Sequence, residues 1–122
     1  MTAQREEPAI PVLPQPPMTR ETLRAAVRQL DLTRLPEFDR DLGQAFDQAV
    51  QLSSTTPMRL FLEKWATVVA ILRHPDRARR LREAEAALSD PGIPHDAFQA
   101  ARETIASVLD LASREALGGA AR

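Results

Sequence analysis

The chain contains no cysteine, which excludes disulfides, thiolate metal ligation and a cysteine nucleophile. It also lacks a charge excess. Sixteen basic side chains stand against seventeen acidic ones, so at a formal net charge of −1 no whole-molecule field draws it to nucleic acid or anionic lipid. Long apolar runs are missing too: the most apolar stretch, Leu60 to Leu72, is interrupted by Glu63, Lys64 and Thr67 and is too short to span a bilayer. No basic segment followed by an apolar run opens the chain, so no signal peptide is expected and a soluble, cytoplasmic protein is. No segment alternates apolar and polar residues as a half-buried strand would, and no repeat is visible. Lysine is nearly absent, with one against fifteen arginines, a whole-chain bias that reads as codon usage rather than as a site.

What is present is a proline-rich start and helical periodicity. Pro8, Pro11, Pro14, Pro16 and Pro17 make residues 1–18 an expected flexible arm that samples polyproline II. The spacing reads first as a solvated leader or an arm packed back on its own domain, and otherwise as a ligand for a proline-binding groove or a partner protein. Removing it is expected to change stability little. Residues 19–118 are expected to form one helical domain, followed by a tail at 119–122.

Five helices are punctuated within it. Thr19 caps the first, which carries Leu23, Ala26, Val27 and Leu30 as one stripe. Pro36 opens the second, with Leu35, Phe38, Leu42, Ala45, Phe46 and Ala49 at helical spacing. Thr56 followed by Pro57 reads as cap and first-turn proline of the third, about 57–73. This helix is apolar around most of its circumference and is therefore expected at the centre. Pro75 forces a turn at His74, a fourth helix follows at about 76–88, and a fifth from about 95 to 117 is expected to stop at Gly118-Gly119. The fold class is therefore all-α, a single compact bundle of about five helices with a proline-rich N-terminal arm. The expected core is Phe38, Phe46, Phe61, Trp65, Val69, Leu72, Leu81, Phe98, Ile105 and Leu109.

Chemistry-bearing patterns are scarce. His74 and His95 fall on different loops without a metal-ligand spacing, and each reads as a turn residue. Asp39 and Asp41 are two apart on a helix and do not face each other, so they make no acid/base pair. No catalytic, cofactor-binding or metal-binding residue is assigned, and the chain is expected to be no enzyme. One local oddity stands out: Arg73, Arg77, Arg79, Arg80 and Arg82 gather against a single Asp76. They read first as a salt-bridged face, with Arg79 pairing to Glu83, Arg82 to Glu85 and others reaching the acidic second helix; the functional reading is a patch for an anion or an acidic partner. Ile71, following Lys64 and Thr67 along the polar stripe, is expected to point outward beside Arg73 and Arg77. Ile71, Arg73, Arg77, Arg79 and Arg80 are thus the candidate partner-binding residues, unless the fourth or fifth helix covers Ile71.

Three segments carry a resemblance: Leu35-Pro36-Glu37-Phe38-Asp39-Arg40, the Trp65 helix closing on Arg73-His74-Pro75, and Met18-Thr19 continuing to Leu23-Arg24-Ala25-Ala26-Val27. Over roughly residues 18–115 the sequence resembles a family of small all-helical actinobacterial proteins of unknown function, loosely akin to antitoxins or regulators. The resemblance carries no catalytic or ligand residue across. The expected function is a non-enzymatic protein–protein interaction module, antitoxin-like or regulatory, with a protein partner, no membrane and self-association open. The alternative is a nucleic-acid-binding regulator using the arginine cluster at 73–82.

Overall fold

A computed structural model describes residues 10–120; residues 1–9 of the arm and the last two of the tail lie outside the described residues. Helix α1 spans Arg20–Leu30, a 3-10 turn Leu32–Arg34 follows, and then come α2 Leu35–Leu52, α3 Thr56–Leu72, α4 Pro75–Leu88 and α5 His95–Ala120. Among the described residues there is no strand, and no helix is long and apolar enough to cross a membrane.

The expected start signals operate locally. The Thr19 hydroxyl accepts from the Thr22 amide, satisfying one of the free donors at the start of α1. Prolines sit in the first turn of α2, α3 and α4, where a missing N–H costs nothing. His74 is extended, at φ −113° and ψ 99°, so the chain turns there before Pro75 begins α4. Ser53, in the left-handed region at φ 51°, ends α2. Thr56 is not the cap it was expected to be: it is the first helical residue, and the Ser54 hydroxyl accepts from its amide.

Helix α5 runs through Gly118 and on to Ala120 instead of stopping at the glycines. Glycine weakens a helix interior by about 1 kcal/mol but does not end a helix unless the chain turns left-handed there, and no described glycine has a positive φ.

Helix α3 packs against α1, α2, α4 and α5, which is why it can be apolar nearly all round. Trp65, Phe38, Leu23, Val27, Val69 and Val108 are fully buried. The Phe38 ring meets Phe61 and Trp65 edge to face, at centroid separations of 5.0 and 5.1 Å. Leu72, Leu81, Phe98 and Ile105 are only partly buried. Two expected core residues are corrected outright: Phe46 is 60% exposed and Leu109 42% exposed. Each shares a stripe with buried neighbours but sits at its edge, where burial is incomplete.

The part of the arm within the described residues is not a free tether. The Val12 amide donates to the Arg73 carbonyl at 2.8 Å, the Gln15 side-chain amide donates to the Ala66 carbonyl at 3.0 Å, and Leu13 packs on the core. Residues 10–17 therefore form a strap along α3. These two hydrogen bonds, a longer one from Arg73 to the Leu13 carbonyl at 3.4 Å and one apolar side chain contribute about 1–2 kcal/mol. Deleting residues 1–17 is expected to lower Tm by about 5–10 °C, measured by thermal unfolding, since 1 kcal/mol shifts a domain of this size by about 4–8 °C. An unchanged Tm would show that the strap contributes nothing.

Candidate protein-docking surface

The candidate arginines do not form one surface. Arg77 is only 8% exposed and Ile71 only 7%, so the outward-facing isoleucine beside it is corrected: α4 covers that side of α3. Ile71 instead floors a depression of about 120 Å³ between α3 and α4, with Val68, Leu72 and Leu81 as walls and Arg34 and Arg82 on the rim. Arg73 and Arg77 turn toward α5 rather than toward the acidic second helix. Arg77 grips Glu115 with both Nη atoms, at 2.9 and 3.0 Å, and also donates to the Ala70 carbonyl at 2.8 Å. Arg73 donates to the same carboxylate at 2.8 Å. Arg79 and Arg80 remain exposed, Arg79 between Asp76 and Glu83 as the helical spacing implied.

The hydrogen bonds from Arg77, then those from Arg73, hold Glu115 below the usual carboxylate range despite its partial burial. Burial, then the positive charges of Arg77 and Arg73, push His74 below its ordinary 6.5, against the opposing pull of Glu115 3.8 Å away. Among the described residues the buried His74 Nε2 has no hydrogen-bond partner.

A histidine whose folded pKa is depressed binds its proton more readily in the unfolded state. Its contribution to stability is thus complete above 6.5 and lost as pH falls from there toward the folded value. Through this one group, stability is expected to fall between pH 7.5 and 5.5 with a slope no steeper than ~1.4 kcal/mol per pH unit. Urea titrations at several pH values check this. His74→Gln should flatten the dependence, and an unaltered slope in that variant would remove His74 as its source.

The surface that sequence reading missed lies on α1 and α2. Arg20, Arg24 and Arg28 recur every four residues and so line one side of α1. With Ala25 and Leu42 they border an open groove of about 620 Å³. Arg24 is held by Asp39, both contacts at 2.9 Å, and that hydrogen-bonded pairing pulls Asp39 below its ordinary pKa. Among the described residues neither Arg20 nor Arg28 is in an ion pair.

From Leu42 the apolar row continues along α2 at the same four-residue interval to Phe46 and Val50, 60% and 64% exposed. Gly43 lies beside them, and a Cβ built there would meet nothing within 4 Å. A glycine inside a helix costs about 1 kcal/mol against alanine, and among the described residues no packing requires this one. The signal was present in the sequence as the Leu42, Phe46 and Val50 spacing, but it was indistinguishable from a core stripe.

On the other flank of α2, Asp41 accepts from Lys64 at 2.6 Å and from the Trp65 indole at 3.1 Å. Burial alone would raise the Asp41 carboxyl; those hydrogen bonds outweigh it and the net shift is downward. This triad ties α2 to α3 and leaves the Phe46 side of α2 as the uncovered one.

Residues 7–111 match the model of a family of unknown function, DUF6247. No curated protein and no solved structure matches the chain.

Proposed function

Starting from a chain that belongs to this family of unknown function, we propose that it is a non-enzymatic protein–protein interaction module that docks its partner on α1 and α2. One observation carries the proposal: an apolar row runs from Leu42, half-buried where it borders a groove, to Phe46 and Val50, which are 60% and 64% exposed. Scattered exposed apolar residues are ordinary, but a contiguous row beside a groove is the composition of an interface centre. The finer part of the resemblance, to small actinobacterial proteins of antitoxin-like or regulatory kind, belongs with this proposal, as does a cytoplasmic location.

The alternative proposal, a nucleic-acid-binding regulator using residues 73–82, is favoured by Arg79, Arg80 and Arg82 remaining exposed on α4. It works without Arg73 and Arg77, which are engaged by Glu115.

Comparative capture from extracts of cells that express the protein separates the two. Phe46→Asp should retain the fold, because the side chain is mostly in solvent, and should lose the protein captured by the wild type even at high salt. Capture that disappears with nuclease treatment, or that weakens steeply with salt and ignores Phe46→Asp while yielding to Arg79→Glu with Arg80→Glu, would favour the alternative.

A further inference from the structure

The chemistry of the docking face specifies more than an apolar contact, and resting on the reading above, we propose that the docked element is an acidic amphipathic helix of a partner protein. Two rows flank the face. On α1, Arg20, Arg24 and Arg28 span about 12 Å at the rise of an α-helix; on α2, Leu42, Phe46 and Val50 span the same length. An apolar ridge with anchors every three to four residues fits the second row, and carboxylates on one flank of that ridge fit the first.

The charges along this face set the sign. Arg24 is already neutralised by Asp39, whereas Arg20 and Arg28 are in no ion pair among the described residues. Arg20 is the first residue of α1, next to the positive end of the helix dipole, where a cation is mildly unfavourable until an anion joins it. Gly43 makes a low point between Leu42 and Phe46, so a partner backbone can approach where any larger side chain would hold it off. Glu21 in the groove, together with Asp47 along α2, would repel a continuous phosphate backbone, so the face suits discrete carboxylates on a peptide better than a nucleic acid.

The probe is a set of three labelled synthetic peptides of about 20 residues, enough for five helical turns. They share one leucine ridge and differ in the flanking positions, which are glutamate, glutamine or lysine. Binding is read by fluorescence anisotropy at ~0.1 M salt, where partly exposed charges still interact. The glutamate peptide should bind the wild type several-fold to about tenfold more tightly than the glutamine peptide, as two partly exposed ion pairs allow. The lysine peptide should bind weakest. Arg20→Glu with Arg28→Glu should reverse that order, and Phe46→Asp should abolish binding of all three.

Glutamine or lysine peptides that bind as well as the glutamate peptide, while still depending on Phe46, would overturn the acidic partner and leave the docking face standing. Binding of none of the three, or binding indifferent to Phe46→Asp, would remove both. Self-association in sedimentation that Phe46→Asp abolishes would make the occupant a second copy, and displacement of the glutamate peptide by duplex DNA or RNA would make it a nucleic acid; either overturns the proposal. The peptide comparison needs no substituted protein, so a variant that failed to fold would not shield it.

Discussion

Trp65→Ala is expected to cost about 3–5 kcal/mol, the range for emptying an aromatic site in a packed core. A domain of this kind has about 5–15 kcal/mol in total, so the variant should be marginal or unfolded at 37 °C. Three losses combine. The indole is fully buried at the centre of α3, its edge-to-face contact with Phe38 disappears, and Asp41 loses the indole N–H that helps hold its carboxylate. Trp65→Phe separates these, because it keeps most of the volume and removes the hydrogen bond, so it should cost roughly 1–2 kcal/mol. Chemical denaturation measures both. A Trp65→Ala variant that unfolds within 1 kcal/mol of the wild type would contradict the placement of α3 at the centre.

Glu115→Ala should produce the second large effect, about 3 kcal/mol, near the lower end for removing one partner of a buried ion pair because Glu115 keeps some contact with water. The loss comes mainly from what stays behind. Arg77 is almost wholly enclosed and would keep only the Ala70 carbonyl; Arg73 would keep only the Leu13 carbonyl at 3.4 Å. Glu115→Gln retains shape and one acceptor but no charge, and should fall between. Replacing Arg77 and Glu115 together by Met and Leu should restore part of the stability, since an apolar pair avoids the desolvation cost that the ions carry while Arg73 stays without its carboxylate. A double variant no better than Glu115→Ala alone would show that the cluster acts through its geometry and not its charge.

Acid stability follows the same groups. Glu115, Asp39 and Asp41 all sit below their ordinary values, so each contributes stability that is present above the unfolded pKa and lost as pH falls through the folded one. Glu115→Ala should therefore also reduce the steepness of acid unfolding below pH 4.5, the ordinary carboxyl value.

The helices themselves were written in the sequence, since caps, first-turn prolines and the 3.6-residue period act within a few residues of where they stand. Thr19, Pro36, Pro57 and Pro75 mark helix starts because a proline or a hydroxyl satisfies or removes a free amide there, whatever the rest of the chain does. The nearly all-apolar circumference of α3 likewise determined that it must be surrounded.

Only the tertiary structure decided which stripes are covered. Phe46 and Val50 obey the same period as Phe38 and Ala45, yet the first two are open and the second two closed, because periodicity states which residues share a face and not which neighbour arrives to cover it. Ile71 and Arg77 went inside for a similar reason. An arginine is buried only where a carboxylate meets it, and the one that does, Glu115, lies 38 residues further on, beyond the reach of any local pattern. The strap of residues 10–17 was undecided between tether and packed arm until the Arg73 and Ala66 carbonyls of α3 came within hydrogen-bonding distance of it, a meeting that depends on contacts more than 50 residues apart.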